Sequence, residues 1–284
     1  MANTIFGKQK SMCQRVTIIS FLLALFLFIN TTSNRTKKVA QSLLQQKQLA
    51  RTNAKPSTPR VLHQILPPDT SRYEAWIHSW TRSGLLERRT YGDEDLQEVV
   101  QALGSEQILA GWTEMARMIE KVDFVRYALL YQYGGVYADA DQELINTTAL
   151  ERVLEWNTVA LAFEQGGPWD VEQVGQALMI SPPRHPFWWD LMEFMVDHYN
   201  STCNVLLNTG PIGMTRFWNA NGDKYQDVRL TKLLDGRNDP AMFNASSTLH
   251  HMGGTWVDPN HKAQLDACPD TMTRCDACEQ RLYE

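Results

Sequence analysis

Two stretches of the chain stand apart by their hydrophobic patterning. From Val16 to Ile29 the chain carries no charged residue, while Lys8, Lys10 and Arg15 precede it and no acidic residue occurs in the first thirty. Such a run predicts a segment that engages a membrane, although about twenty apolar residues are the usual span and this one is shorter even when extended to Thr32. A cleaved signal peptide has a similar apolar core, but no small-x-small cleavage site follows. The reading adopted is a short signal anchor over residues 16–32, with a cytosolic tail over 1–15. The second stretch begins at Met115. Met118, Ile119, Val122, Leu129, Leu130 and Tyr133 continue at helical spacing, and Gly134 supplies a stop. After Gly134 and Gly135, the apolar pair Val136 and Tyr137 predicts a short strand that runs into Asp139 and Asp141.

Those last two residues carry the chemistry. Side chains alternate along a strand, so carboxylates two positions apart project to the same side. Two hard oxygen donors there suit Mg²⁺ or Mn²⁺, cations that share their remaining positions with water and substrate phosphates. On the preceding helix, Asp123, Arg126 and Tyr127 are three and four residues apart and share a face. By itself an Asp-x-Asp triplet is also the pattern of a solvated turn, and an i,i+3 ion pair on a surface is worth little. The glycine pair, the apolar strand and the acid–guanidinium pair together point to a site for a metal and a diphosphate.

At these residues the chain resembles glycosyltransferase family 32. That family's pattern is Asp-x-x-Arg on a helix, then Gly-Gly-x-Tyr and Asp-x-Asp, and Asp123, Arg126, Gly134, Gly135, Tyr137, Asp139 and Asp141 fill it. The resemblance extends from Arg60–Ile65, through Tyr91–Leu96, Leu178–Phe187 and Asn208–Thr215, to His250–Trp256. Tyr91, Gln176, Thr255 and Ala140 depart from the family's usual residues. The resemblance implies an α/β architecture of the GT-A type over residues 59–284, with a mostly parallel sheet and a nucleotide-sugar at the carboxyl ends of its strands. It implies that Asp141 coordinates Mn²⁺ or Mg²⁺ directly, that Asp139 contacts the ribose and the metal's water shell, and that Asp123 with Arg126 holds the donor sugar. His251 would reach the metal or the diphosphate and Trp256 would pack on the leaving group. Leu62, Gln64, Asn208, Gly210 and Thr255 would complete the nucleotide-sugar contacts. The implied reaction is hexosyl transfer to a glycan or glycolipid hydroxyl with retained configuration, most simply mannose from GDP-mannose. UDP-galactose and UDP-N-acetylglucosamine remain alternatives, as does a binding protein that keeps the fold without turnover. No residue stands out as a nucleophile; Glu164 and Asp170 are candidates for the acceptor side.

Composition adds compartment and excludes one class. A formal net charge of −5 with no basic stripe argues against nucleic acid as a partner. With 43% hydrophobic residues the chain can bury a sizeable core. Residues 33–58 are Gln-rich and close in Lys55-Pro-Ser-Thr-Pro59, the composition of a stem. Beyond Cys13 there are four cysteines, Cys203, Cys268, Cys275 and Cys278, which in an oxidising lumen fit two disulfides of undetermined pairing. A redox or zinc role for Cys275-Asp-Ala-Cys278 is the alternative. Sequons begin at Asn34, Asn146, Asn200 and Asn244. Together these features predict a type II membrane protein of the Golgi or endoplasmic reticulum with a luminal catalytic domain.

Overall fold

The computed structural model describes residues 57–164, 173–235 and 245–251, together with two short paired strands, Arg274–Cys275 and Gln280–Arg281. The chain divides into Met1–Lys55 and Pro56–Glu284, and all of the described residues belong to the second unit. The expected anchor, nearly all of the stem, Asp170, Thr255, Trp256, Cys268 and Cys278 lie outside the described residues. Among the described residues no helix is long and apolar enough to cross a membrane.

In chain order the elements are β1 (Val61–Ile65), α1 (Glu74–Ser83), β2 (Glu87–Tyr91), α2 (Leu96–Gln101), α3 (Glu106–Glu114), α4 (Met118–Tyr133), β3 (Gly135–Ala138) and β4 (Gln142–Leu144). There follow α5 (Thr147–Leu154), β5 (Val159–Glu164), β6 (Gln173–Ser181), α6 (Pro186–Asp197), α7 (Val205–Asn208), α8 (Pro211–Asn221), β7 (Val228–Thr231) and β8 (Thr248–His250). Six strands form one sheet in the order β2-β1-β3-β6-β5-β7. The β1–β2, β1–β3 and β5–β7 pairs are parallel and the two pairs made by β6 are antiparallel, so the sheet is mixed and mostly parallel.

Alternation along the strands sorts the core into two layers. Tyr137, Leu161 and Met179 face α4, α6 and α8, where Phe124, Leu129, Trp188 and Phe217 pack. Leu62, Val136, Ala138, Ala160 and Ile180 face the other way, onto Trp80 of α1 and Leu150, Val153 and Leu154 of α5. A buried sheet with apolar contacts on both faces is the usual form where helical crossovers cover it. The helix α4 is the central one: residues 124–130 are all buried. Its two termini are fixed by local chemistry. At the start the Arg117 amide donates to Glu120 Oε2 at 3.0 Å, and at the end Gly134 adopts a positive φ of 62°.

The glycine pair between α4 and β3 is required twice over. Gly135 has φ 95°, and a Cβ on it would lie 2.4 Å from the Val61 carbonyl oxygen; on Gly134 it would meet Pro183 N at 2.5 Å. The fold thus brings the helix onto the sheet by a turn that no larger residue fits. His63 of β1 closes the same junction. Its Nε2 donates to the Gly134 carbonyl at 2.9 Å, which leaves Nδ1 to accept from the Tyr91 hydroxyl at 2.9 Å. Tyr91, a departure from the resembled family, therefore serves here through its hydroxyl. Burial depresses the His63 pKa to about 4, so the ring is neutral at neutral pH.

Candidate functional site

The site lies where β1, β2 and β3 end. These strands are parallel, so their carboxyl ends share one edge, the usual position for a ligand in an open α/β sheet. Asp139 and Asp141 are not on a strand, contrary to the expectation from alternation. The strand stops at Ala138 and the two acids occupy a tight turn, closed by the Gln142 amide donating to the Asp139 carbonyl at 3.1 Å. The turn is anchored by its spacer. Ala140 is buried in a small cluster with Tyr73 and Ile77, so a small side chain suits the middle of the triplet.

From Asp139 inward the polar groups form one buried array. Arg126 Nη2 donates to Asp123 Oδ1 at 2.6 Å, and Nη1 reaches Asp139 Oδ2 and the Gln176 carbonyl, both at 3.3 Å. The Tyr137 hydroxyl donates to Asp139 Oδ1 at 2.7 Å, and the Arg126 guanidinium lies 5.1 Å from the centre of the same tyrosine ring. Asp123 Oδ2 accepts from the Thr209 hydroxyl at 3.2 Å. The Tyr127 hydroxyl lies 2.9 Å from the Thr209 carbonyl and also within reach of Gln176 Oε1, its one proton shared between the two acceptors. Only 3% of the Asp123 side chain and 4% of that of Arg126 is exposed, against 26% for Asp139. Burial pushes the Asp123 carboxyl up to about 7 against the pull of Arg126. It raises Asp139 as well, again against Arg126, with the nearby Asp141 charge adding to the rise. One fixed cation thus lies between two carboxylates, the buried Asp123 at the floor of the site and the more open Asp139, with Asp141 next to it along the chain turn.

Asp141 meets a strand from far along the chain. The antiparallel ribbon of β4 and β8 sets Gln142 opposite His250, and the His251 amide donates to the Asp141 carbonyl at 3.0 Å. The imidazole of His250 lies with Nε2 3.4 Å from Asp141 Oδ1 and Nδ1 3.8 Å from Asp235 Oδ2. His251, the histidine expected at the metal, instead directs Nε2 to Glu143 at 2.9 Å and stacks its ring on Trp76 with centroids 4.1 Å apart. Of the adjacent pair it is therefore His250 whose side chain is brought to the acids.

The remaining expected residues are placed unevenly. Gln64, one residue from the end of β1, is fully buried with neither amide atom partnered among the described residues, an arrangement that invites a ligand group. Leu62 packs in the core beside Val136 and Ala138. The Asn208 amide nitrogen is taken by Glu120 and the Asn200 carbonyl, and Gly210 caps α8 where a Cβ would lie 2.6 Å from Leu206 Cα. Glu164 ends β5. Thr209, between Asn208 and Gly210, is the residue of that segment that touches the acids, and sequence reading passed it over. Its position inside a quoted motif was the one available signal. Cys203 is disulfide-bonded and buried.

Among the described residues no three His, Cys, Asp or Glu side chains form a closed metal cage. The donor set suits a hard cation nonetheless, because Mg²⁺-like sites commonly use one or two carboxylates and leave the rest to water and phosphate. A cavity of about 610 Å³ beside α1, lined among others by Leu66, Glu74, His78 and Arg88, contains none of these acids.

A buried guanidinium flanked by carboxylates thus stands at the strand ends of an α/β sheet. Residues 35–159 match the family model of the glycosyltransferase sugar-binding region containing a DXD motif, a span that includes Asp123, Arg126, Asp139 and Asp141. Over these residues the chain is similar to this family of glycosyltransferases. Among similar proteins, inositol phosphoceramide mannosyltransferase 1 of Schizosaccharomyces pombe is 25% identical over 230 residues, covering 73% of this chain and 68% of that protein. Human alpha-1,4-N-acetylglucosaminyltransferase is 34% identical over 116 residues, which cover 40% of this chain and 30% of that enzyme. Among solved structures, PaToxG Glycosyltransferase aligns over 83% of this chain and 94% of its own, with 13% identity and a TM-score of 0.46.

Proposed function

We infer that the protein is a metal-dependent, retaining hexosyltransferase of GT-A architecture, moving mannose from GDP-mannose to a glycan or glycolipid hydroxyl. The observation that carries this reading is the array in which Arg126 joins Asp123 to Asp139 while Asp141 and His250 stand at the mouth of the same strand edge. Similarity over most of the chain to an inositol phosphoceramide mannosyltransferase supports mannose as the sugar. The shorter match to an N-acetylglucosaminyltransferase supports the competing UDP-sugar reading.

Each group has a role in this scheme. Asp139 and Asp141 would hold Mn²⁺ or Mg²⁺, with His250, rather than His251, in side-chain reach of Asp141. When bound, the cation supplies Lewis-acid stabilisation of the charge that builds on the departing nucleoside diphosphate. Asp123 accepts from donor-sugar hydroxyls. Arg126 keeps both carboxylates oriented and offsets their charge, so the sugar meets fixed dipoles and no water must be reorganised. Gln64 offers its unpartnered amide to the nucleotide, with Asn208, Gly210, Thr255 and Trp256 as the further contacts implied by the family resemblance. We place the enzyme in the Golgi or endoplasmic reticulum membrane through residues 16–32, with its catalytic domain luminal.

The test is donor cleavage by the detergent-solubilised full chain with Mn²⁺ or chelator, across GDP-mannose, UDP-galactose, UDP-glucose and UDP-N-acetylglucosamine. Metal-dependent cleavage of GDP-mannose alone is expected. Preference for a UDP-sugar would replace the mannose assignment, and silence with all four donors from folded protein would remove the transferase reading.

A further inference from the structure

One buried acid outside the array has every acceptor position filled. Glu120 is fully buried. Its Oε1 accepts from Arg117 Nη2 and from Asn208 Nδ2, each at 2.8 Å, and its Oε2 accepts from the Arg117 amide at 3.0 Å and the Tyr199 hydroxyl at 3.1 Å. A carboxylate removed from water costs several kcal/mol unless its lone pairs are met, and here four donors meet them. Helix capping accounts for only the contact to the Arg117 amide.

The stripe on α4 shows what the others accomplish. Glu120, Asp123 and Tyr127 follow one another at three and four residues, so they lie on one face over successive turns. Between them the three hold two adjacent residues, Asn208 and Thr209. Glu120 holds the Asn208 side chain, Asp123 accepts from the Thr209 hydroxyl, and Tyr127 donates to the Thr209 carbonyl. Behind them the loop is tied again, since the Cys203 carbonyl accepts from Arg117 and Asn208 Nδ2 also reaches the Asn200 carbonyl.

We propose that Glu120 is a positioning residue for transfer. By clamping Asn208 it fixes Thr209, and the Thr209 hydroxyl sets the rotamer of Asp123, the carboxylate assigned to the donor sugar. The inference rests on the proposed transferase function for its kinetic arm and on geometry alone for its structural arm. It does not involve the metal, because neither Glu120 nor its four donors touch Asp139 or Asp141.

The experiment compares Glu120→Gln, Thr209→Val, their double variant and Tyr199→Phe in the full chain. Glutamine keeps the shape but loses acceptor capacity and charge. Expected for Glu120→Gln and Thr209→Val is a fall in kcat/KM for the nucleotide-sugar of up to about 10²-fold, with the Kd for the free nucleoside diphosphate within about twofold. The double variant should be no worse than the poorer single one, as for two steps in one relay. Tyr199→Phe disturbs the same carboxylate from the side away from Asn208 and should leave the kinetics alone. Additive losses, equal loss of nucleoside diphosphate binding, or a Tyr199→Phe effect equal to that of Glu120→Gln would overturn the proposal. A crystal structure of Glu120→Gln should show the Thr209 hydroxyl displaced from Asp123, and an unmoved hydroxyl would overturn it even if the wild type turned over none of the donors. Should Glu120→Gln not fold, Glu120→Asp, which keeps the buried charge but draws the carboxylate back from Asn208, is read by the same measurements.

Discussion

The floor and the mouth of the site are built differently. At the floor, Asp123 and Arg126 are almost wholly withdrawn from solvent and joined at 2.6 Å, with Thr209, Gln176 and Asp139 as further partners. Toward the mouth, Asp139, Asp141 and His250 retain 26%, 13% and 12% side-chain exposure, and the last two approach to 3.4 Å. A buried charged array keeps its geometry because any displacement leaves an uncompensated charge. A partly exposed acid and imidazole can adjust when a ligand supplies the missing partner. In the proposed scheme the contrast separates residues that hold the array from residues that engage the metal and donor.

Substitutions at the two places should therefore fail in different ways. The largest effect is expected from Asp141→Asn, which removes the charge proposed to hold the metal. Metal-supported donor cleavage should fall by at least about 10²-fold, while the thermal midpoint stays within about 2 °C. Full activity in that variant would end the metal assignment. Next is Arg126→Met, which strands Asp123 beside Asp139. A stability loss of about 3–5 kcal/mol is expected in denaturant unfolding, and donor-sugar handling should suffer more than binding of the free nucleoside diphosphate. Stability equal to wild type would erase the distinction between floor and mouth.

A smaller effect tests the junction beneath both regions. Because the folded pKa of His63, about 4, lies below the ordinary 6.5, the unfolded chain binds its proton first. The stabilisation is complete above pH 6.5 and is lost as pH falls from there toward 4, by about 3 kcal/mol in all. Between pH 7.5 and 4.5 the unfolding free energy of the wild type should lose ground to that of His63→Gln as the pH falls, the Asp123 titration being common to both and cancelling in the difference. Smallest and most discriminating is the histidine pair. His250→Ala should weaken Mn²⁺ dependence about tenfold, whereas His251→Ala, which breaks the Glu143 contact and the Trp76 stack, should change it less than twofold. The reverse order would restore His251 as the metal-side residue.

Much of the floor was legible in the residue order, since helix spacing places Asp123, Arg126 and Tyr127 on one face and the glycine pair marks the break before β3. Alternation misplaced the acids only in detail: it put Asp139 and Asp141 on a strand that in fact ends at Ala138, because strand length is set by pairing with β1 and β6 and not by local pattern. Glu120 was passed over because a glutamate three residues into a helix reads as a capping residue until its depth is known.

Residue order alone determined the helix, the left-handed glycine turn and the close order of Asp123, Arg126, Asp139 and Asp141, because these depend on torsions and on spacing within a few turns of chain. Tertiary structure decided which histidine faces Asp141, which residue of the Asn208–Gly210 segment touches Asp123, and that the His63 ring is neutral. Each of those depends on strand register or burial, and both arise only when segments roughly 70 to 110 residues apart are packed together, where desolvation and side-chain direction replace sequence distance as the controlling variables.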